Sequence, residues 1–379
     1  LTTALTNVLA NLEPSNDTLT SASVAANNFD RTETLNSVYY AMFQPDRGPR
    51  WQGNLKKYKV EGGEQVGKQG KPAINQSLGV FSDEVTSFWS TAVDGDEVAK
   101  GGVADMLRNK SNRMIYSDLG ASGALVELTE TNVDNYFGTT QDYADFLGVD
   151  VTKAADYFNW NIGIDVDDED EDGDTTDMRY SVFGDPLHSK PLVVNYGDKI
   201  HLVIGTNAGA LHMFKDSGDT VDETWAFMPK EFFPNIQPLR DNYATSDKIY
   251  GIDGRITSYI NDANGNGIIE SGDTVWIFFG LRRGGTSYYG LDISDVNNPS
   301  LLWHIDANTA GFEELGQSWS QPKVGYSKIN IVNGAAKPVL FFGGGYDTSK
   351  DNTGPGGTDN VGRAIYMVDA ETGALKWSM

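Results

Sequence analysis

The sequence predicts an all-β fold, a β-propeller of four-stranded blades, and two observations lead to this prediction. From Gly184 onward the chain contains three units of four short strand patterns, each with a glycine that closes the second strand. Each unit also carries a tryptophan in its fourth strand, at Trp225, Trp303 and Trp377, which are 78 and 74 residues apart. A repeated unit of four strands is the sequence signature of propeller blades, each covering the open face of its neighbour. A β-sandwich with coincidental spacing is the alternative.

The strands of the three units are runs rich in β-branched and aromatic residues, bounded by turn-forming residues. The first unit is predicted at Pro191–Tyr196, Ile200–Gly205, Ala210–Lys215 and Thr224–Met228. The second is predicted at Ile256–Ile260, Thr274–Gly280, Ser287–Ile293 and Leu301–Ile305. The third is predicted at Lys323–Lys328, Pro338–Gly343, Ala364–Val368 and Ala374–Ser378. A further unit from Trp51–Val60 and Asn112–Ser117 brings the total to four, which is only the lower end of the roughly 4–8 blades that close a ring. We therefore expect that the chain is a fragment of a propeller, or that another element completes the ring.

Two other regions precede the blades at 184–379. Residues 1–35 are predicted to form a short amphipathic helix over 1–12 and a linker rich in serine and asparagine. Residues 36–183 are predicted to hold the first blade elements, a mixed α/β insertion with helical parts, and an acidic loop. Within them, strand character is found at Ser37–Phe43, Trp51–Val60 and Asn112–Ser117, and partly helical character at Gly79–Val93 and Gly101–Lys110.

Composition and charge exclude several classes of function. The chain has 379 residues, 53 acidic and 29 basic side chains, and a net charge of −24. Such a surface repels nucleic acid and anionic membranes. No run of 18 apolar residues is present to span a bilayer. The absence of cysteine excludes a disulfide framework, thiol catalysis and cysteine-ligated metal sites.

The strongest motif is a calcium-type loop between two predicted strands of the second unit. Side-chain oxygens fall at loop positions 1, 3, 5, 9 and 12, glycine stands at position 6, and a main-chain carbonyl is available at position 7. This spacing wraps alternate residues around one hard cation, and the glycine permits the sharp turn. The predicted Ca²⁺ ligands are Asp262, Asn264, Asn266, the Ile268 carbonyl, Glu270 and Asp273. A solvated Asn/Gly hairpin is the alternative.

A second, weaker calcium candidate lies in the acidic loop, which contains nine carboxylates between Asp165 and Asp177. Its candidate ligands are Asp168, Asp170, Asp172 and Asp174, whose spacing begins like a calcium loop. The pattern then departs from that of a calcium loop, because position 12 is Arg179. Asp177 serves as a late ligand only if the loop is distorted. A solvated run of charge is the alternative.

Catalytic motifs are missing from the sequence, which has no GxSxG, HExxH, P-loop or GxGxxG pattern. His188 and His212 stand alone beside predicted strands, where packing or hydrogen bonding accounts for them. Arg282 and Arg283 precede a Gly-Gly pair and are interpreted as structural residues at a blade corner. We therefore predict that the chain is not an enzyme.

Five longer phrases resemble a known family. They are GPRWQGNLKKYKV (48–60), GDPLHSKPLVVNYG (184–197), VIGTNAGALHMF (203–214), GLRRGGTSYYGLDISD (280–295) and FFGGGYDTSKDN…GRAIYMVDAETGALKW (341–377). Together they resemble the C-terminal propeller of the type IV pilus assembly and tip-adhesin family, the PilY/PilC type. The resemblance covers most of 36–379 in the family's order. The opening helix and linker resemble the stretch that joins the propeller to that family's N-terminal region, which often carries a von Willebrand A domain.

The resemblance implies an exported, extracellular protein at the pilus tip or cell surface, which reaches it through the periplasm. Its implied partners are the minor pilins of the pilus tip complex and a receptor on a host or abiotic surface. It also implies that calcium in a propeller loop tunes pilus extension against retraction. Two features depart from the family. The calcium loop of the family belongs to a later blade, so the loop at 262–273 matches it in the type of motif and not in its position. The RGD string of the family is absent, and the nearest string here is Asp46-Arg47-Gly48.

Two other classes of function stay open at this point. VDAETGALKW (368–377) also resembles the tryptophan-docking repeats of quinoprotein dehydrogenases, which hold a quinone cofactor and a catalytic calcium on the propeller axis. The repeat is clear only once here, and no catalytic Asp/Glu–Asn set accompanies it. A passive scaffold, whose acidic loops merely aid solubility, predicts no specific affinity for calcium.

Overall fold

Strands form most of the regular structure in this computed structural model, which describes residues 19–26, 34–75, 80–197, 199–266, 268–351 and 357–379. The strands before Gly184 are β1 (Leu19–Ala26), β2 (Thr34–Gln44), β3 (Gln52–Glu61), β4 (Glu64–Val66), β5 (Ile74–Asn75), β6 (Val80–Phe81), β7 (Ile115–Ser117) and β8 (Val126–Glu127). The later strands are β9 (Leu192–Asn195), β10 (Ile200–Gly205), β11 (Leu211–Asp216), β12 (Val221–Phe227), β13 (Ile256–Asn261), β14 (Thr274–Gly280), β15 (Tyr288–Asp292), β16 (Ser300–Ile305), β17 (Lys323–Val332), β18 (Ala335–Gly343), β19 (Ile365–Asp369) and β20 (Leu375–Ser378). The α-helices are α1 (Gly102–Arg108), α2 (Glu130–Phe137), α3 (Thr140–Leu147), α4 (Ala154–Ile162) and α5 (Ile236–Asp241).

The strands are arranged in four larger sheets and one hairpin. Sheet I has the order β1-β2-β3-β4, sheet II β8-β7-β12-β11-β10-β9, sheet III β13-β14-β15-β16, and sheet IV β17-β18-β19-β20. Strands β5 and β6 pair with each other. All pairs are antiparallel except β7 with β12 in sheet II. The predicted β class is therefore confirmed as a mostly β fold with several sheets and a small helical content.

The twelve strands predicted after Gly184 are all present, and β10 and β14 have the predicted bounds. The largest differences occur at the hairpin between β17 and β18, where both strands are longer than predicted. Asn333 and Gly334 connect these strands and have positive φ angles of 51° and 80°. Two such residues make the tight turn that continues a hairpin ladder to its end.

Strand β14 shows why long apolar runs form the central strands. Its side chains are buried from Val275 onward. Val275, Ile277 and Phe279 lie in a core shared with sheet II, whereas Trp276 and Phe278 lie in a core shared with sheet IV. Successive side chains of a strand point to opposite faces, so a continuous apolar run is needed where both faces are covered.

The other cores extend this stacking along the chain. Tyr39 and Leu55 of sheet I share a core with Leu202 and Phe214 of sheet II. Sheets II and III share a second core, and sheets III and IV a third. The four sheets therefore stack face to face in chain order.

Two of the repeated tryptophans join consecutive sheets by the same hydrogen bond. The Trp225 indole N–H donates to the Val296 carbonyl at 2.8 Å, and the Trp303 indole N–H donates to the Ala370 carbonyl at 2.9 Å. Val296 and Ala370 both lie between the third and fourth strands of the following sheet. Trp377, at the same position of sheet IV, is 40% exposed.

Helices α2 to α5 form one layer beside sheet II, whereas α1 contributes Val103 and Leu107 to the core that sheets I and II share. Tyr143, Leu147 and Phe158 of this layer pack with Ile115 of β7 and Ala226 of β12. The threonines that precede α2 and α3 cap them, since each hydroxyl accepts a main-chain N–H from the first turn. No helix among the described residues is long and apolar enough to cross a membrane.

Two predictions before Gly184 are wrong. No helix forms over 80–93, which contains only β6 and turns. Ser87 donates its N–H and its hydroxyl to the Asp94 carboxylate, both at 2.7 Å, and such side-chain bonds compete with helix formation. Trp51–Val60 and Asn112–Ser117 do not form one unit, because β3 belongs to sheet I whereas β7 extends sheet II.

The N-terminal prediction falls mostly outside the described residues, including the helix over 1–12. Within the predicted linker, Leu19–Ala26 is strand β1. It pairs antiparallel with β2, from Leu19 opposite Phe43 to Ala26 opposite Thr34. An unpaired strand edge offers main-chain donors and acceptors to any extended segment, which explains a strand in a polar sequence.

Candidate metal-binding loops

The acidic loop follows α4 and is closed at its base by main-chain pairing. Ile164 and Met178 form an antiparallel bridge. Inside it, the Asp165 N–H donates to the Asp177 carbonyl at 2.9 Å. The base of the loop is thus fixed, and the residues between these two aspartates are held as one turn-rich segment.

Three of the predicted ligands in this loop come together. Carboxylate oxygens of Asp168, Asp170 and Asp172 all lie within 4.8 Å of one another. Each side chain also accepts a main-chain N–H from further along the loop, those of Gly173, Asp172 and Asp174 at 3.0, 3.3 and 2.7 Å. These bonds hold the three carboxylates in one cluster, which we name the Asp168 cluster.

Two further carboxylates at the base add negative charge to the Asp168 cluster. The Oδ1 atom of Asp177 is buried and has no hydrogen-bond partner among the described residues. Burial, and then the charges of Asp172 and Asp170, raise the pKa of the Asp177 carboxyl. Asp165 is fully buried, and burial raises its pKa although it accepts the Glu169 N–H. The site therefore holds more negative charge than its surroundings compensate, which suits a divalent cation.

Three other acidic side chains of the loop, those of Asp167, Glu169 and Asp174, have partners of their own. Asp167 pairs with Arg240 at 2.7 Å, and Glu169 pairs with Arg50 at 2.5 Å. Asp174 accepts the Thr176 hydroxyl and N–H at 2.6 and 2.8 Å, and these bonds lower its pKa. Asp174 is thus not in the cluster. In the part of the chain that is described, no cationic side chain pairs with the three clustered aspartates.

The second candidate loop connects β13 to β14 and is closed by its own hydrogen bonds. The side-chain amides of Asn264 and Asn266 both donate to Glu270 Oε1, at 2.6 and 3.0 Å. The Asp262 carboxylate accepts the Gly265 N–H at 2.7 Å. Ile268, the predicted carbonyl ligand, donates its N–H to Asn266 Oδ1 at 2.8 Å. The predicted side chains therefore bind one another.

Asp273 ties the two ends of this loop together. It is 7% exposed, and its two oxygens accept the Ala263 and Glu270 N–H groups, each at 2.9 Å. Among the described residues, which do not include Gly267, Asp262, Glu270 and Asp273 do not gather as the Asp168 cluster does. The loop that the sequence favours is thus internally satisfied, whereas the weaker candidate is not.

The isolated histidines have structural partners. His212 is fully buried, with Nδ1 2.8 Å from Glu223 Oε1, and Arg113 forms two bonds to the same carboxylate at 2.7 and 2.9 Å. Burial lowers the pKa of His212. His188 lies with its Nδ1 2.7 Å from the buried Asp253 carboxylate. Hydrogen bonding therefore accounts for both.

Asp165 is the one carboxylate of the site that the sequence interpretation leaves out. It begins the acidic run, and the only signal that marks it is its position after Ile164, whose counterpart Met178 follows Asp177. Two apolar residues on either side of a charged run indicate that the two ends of the loop pair with each other, as Ile164 and Met178 do. This pairing places the first and last carboxylates of the run side by side.

Comparison with known proteins shows relatives in one functional class. No family model matches this chain. The type IV pilus biogenesis factor PilY1 of Pseudomonas aeruginosa strain PAO1 is 29% identical over 174 residues, which cover 45% of this chain and 13% of the relative. A PilY1 homologue of Xylella fastidiosa is 28% identical over 151 residues, which cover 39% of this chain and 11% of the relative. The matched segments thus span only about an eighth of these curated relatives.

One of these relatives, PilY1, has a domain of known structure that also matches this chain. The crystal structure of the Pseudomonas aeruginosa PilY1 C-terminal domain matches 48% of this chain and 30% of that chain, at 26% identity and a TM-score of 0.32.

Proposed function

From the homology of this chain to the type IV pilus biogenesis factor PilY1, we propose that it is the propeller part of such a factor. In this role it acts outside the cell as an assembly and binding protein rather than as an enzyme. The sequence relationship supports the pilus role. The names of the curated relatives, which are biogenesis factors, favour this role over that of a quinoprotein dehydrogenase.

The propeller interpretation treats the four stacked sheets as consecutive blades. The repeated tryptophan bond supports it, because the fourth strand of sheets II and III docks at the same turn of the next sheet. Blades that each cover the next reproduce the repeat from which the sequence predicts the fold.

Calcium binding in the acidic loop is the second element of the proposal. The observation that carries it is the Asp168 cluster, together with a buried, unpartnered oxygen of Asp177 in the same loop. Calcium takes six to eight oxygen ligands, and carboxylates on alternate residues of one loop suit it. The ligands proposed are Asp168, Asp170, Asp172 and Asp177. The β13–β14 loop is proposed as a weaker site, because its Asn264 and Asn266 amides must turn away from Glu270 before their oxygens face a cation.

Adhesion is the third element, and it rests on the resemblance. The proposed partners are the minor pilins of the tip complex and a receptor on a host or abiotic surface. Bound calcium would fix the acidic loop against Arg50 and Arg240, and so set the shape of the surface around it.

Calcium titration by calorimetry tests the metal site. The wild-type chain is compared with Asp168→Asn/Asp170→Asn/Asp172→Asn and with Asp262→Asn/Asp273→Asn. We expect the first variant to lose the tighter binding event and the second to retain it. Tight binding lost only in the second variant would move the site to the β13–β14 loop, and no binding to the wild type would remove calcium from the proposal.

A genetic experiment tests the pilus role separately. Deleting the gene in the organism that makes this chain should reduce the number of surface pili seen by electron microscopy. The wild-type gene should restore them, and unchanged pili in the deletion strain would contradict the assignment.

A further inference from the structure

A cationic cavity of about 220 Å³ opens where the chain leads into β9, β13 and β17. The side chains that give it its chemistry are His188, Lys190, Arg255, Arg282, Trp319 and Gln321. We propose that this cavity binds a small oxyanion, a phosphate or carboxylate group, either free or carried on a larger ligand. The site is separate from both candidate calcium loops and does not depend on them.

The charge of the cavity is opposite to that of the protein. The chain has a net charge of −24, yet three of the lining side chains are permanently positive. Within the described residues, no carboxylate lines the cavity. A concave surface lined by one sign of charge focuses the electric field and concentrates ligands of the other sign. A local reversal of this kind therefore favours an anion.

Arg282 is fixed in place at the cavity wall. Its guanidinium carbon lies 4.4 Å from the centre of the Trp319 ring, and its Nη1 donates to the buried Asp253 carboxylate at 3.2 Å. The same Nη1 lies 2.6 Å from His188 Nδ1. The backbone of Arg282 has a φ of 55°, a left-handed conformation that non-glycine residues rarely adopt. Such strain clusters at functional sites.

These contacts leave part of the guanidinium fork for a ligand. A guanidinium has five N–H donors in one plane, which match two oxygens of a carboxylate or phosphate. The bonds to Asp253 and His188 both use Nη1. Arg282 thus combines the blade-corner position expected from the sequence with a side chain prepared for bidentate binding.

Lys190 and Arg255 supply positive charge that no described carboxylate neutralises through an ion pair. Both side chains are exposed, and neither forms an ion pair or hydrogen bond with any residue the structure describes. The Asp253 carboxylate, which contacts two of the lining side chains, is occupied by His188 and Arg282. Two uncompensated cations therefore flank one oriented guanidinium, which is an arrangement for a ligand with more than one negative charge.

The cavity also joins three of the sheets. Lys190 precedes β9 of sheet II, Arg255 precedes β13 of sheet III, and Gln321 precedes β17 of sheet IV. These are corresponding positions, each just before an edge strand of its sheet. An anion bound here contacts consecutive sheets at once, so binding should also stabilise the stack.

Calorimetric titration at low ionic strength, on protein freed of calcium by passage over a chelating resin, tests the proposal with inorganic phosphate and with malonate. The test variant is Lys190→Gln/Arg255→Gln, which removes two exposed side chains that form no hydrogen bond or ion pair with the described residues. The control is Lys328→Gln/Lys337→Gln, which makes the same change of charge on β17 and β18. We expect one bound anion per wild-type chain, a loss of roughly tenfold or more in affinity in the test variant, and little change in the control.

The two probes and the control separate the outcomes. Binding of phosphate but not malonate assigns a phosphate group, binding of malonate but not phosphate assigns a carboxylate group, and similar binding of both supports a site for either oxyanion. The absence of binding by either probe to the wild type overturns the proposal. An equal loss in the test and control variants also overturns it, because it would show attraction by overall charge rather than by this cavity.

Discussion

The acidic loop and the β13–β14 loop share the calcium-type spacing of oxygen-bearing side chains but satisfy those side chains differently. In the β13–β14 loop, asparagine amides donate to Glu270, and Asp273 accepts two main-chain N–H groups. In the acidic loop, the carboxylates of Asp168, Asp170 and Asp172 face one another. An amide carries both a donor and an acceptor, whereas an ionised carboxylate only accepts.

The comparison shows that the spacing of the residues determines the shape of a loop. The residue types determine whether its side-chain oxygens find partners within the loop or require a cation. A loop that contains asparagine can close on itself. A loop of aspartates leaves repulsion that only a cation or bound protons relieve. The four predictions below test this difference, beginning with the largest expected effect.

Removal of calcium should destabilise the chain through the acidic loop. A ligand at 100 times its dissociation constant stabilises the folded state by about 2.7 kcal/mol. We expect EGTA to lower the melting temperature of the wild type by several degrees and to have no effect on Asp168→Asn/Asp170→Asn/Asp172→Asn. Differential scanning calorimetry measures both. An equal response of wild type and variant would place the stabilising cation elsewhere.

Asp273→Asn should destabilise the fold whether or not calcium is present. Hydrogen bonds to a charged acceptor contribute about 1.5–3 kcal/mol, and asparagine retains one of the two acceptor oxygens. The expected loss is about 1–2 kcal/mol in urea unfolding, in calcium and in EGTA alike. Asp219→Asn, an exposed position in the β11–β12 turn, is the matched control. A loss confined to calcium-containing buffer would show that Asp273 is a metal ligand and would remove the contrast between the loops.

The same contrast explains how much of the molecule the sequence predicts. The twelve strands after Gly184 are predicted because their apolar runs and glycine boundaries are local signals. The long-range partners are not local: β7 joins sheet II through Ala226 and Phe227, more than 100 residues away. The ranking of the two loops that we propose is not contained in the spacing either, because it rests on the bridge between Ile164 and Met178 that brings Asp165 and Asp177 together.

The substitution Asp177→Asn should stabilise the chain in the absence of calcium and destabilise it in the presence of calcium. The folded pKa of Asp177 is raised above its ordinary value of 3.8, so the folded chain binds this proton more strongly than the unfolded chain. Stability without calcium therefore falls as the pH rises through and above 3.8, and the penalty persists at neutral pH. The variant should be more stable than wild type in EGTA at pH 7 and less stable in calcium, where it lacks a ligand.

Urea unfolding at pH 4 and pH 7, with EGTA or calcium, measures this reversal. The advantage of the variant in EGTA should shrink at pH 4, because the proton then neutralises the wild-type carboxyl. Asp219→Asn again serves as the control and should show no reversal. A variant that is less stable than wild type in EGTA at pH 7 would mean that the Asp177 charge is compensated without a metal.

Glu270→Gln should have the smallest effect. The exposed Glu270 Oε1 accepts from the Asn264 and Asn266 amides, and glutamine keeps a carbonyl oxygen for the same bonds. The expected change in unfolding free energy is below about 1 kcal/mol, since exposed bonds of this kind contribute little. Urea unfolding and calcium titration of the variant measure both consequences. A larger loss that appears only with calcium would show that a cation, rather than two amides, holds this oxygen, and the two loops would then differ in affinity and not in kind.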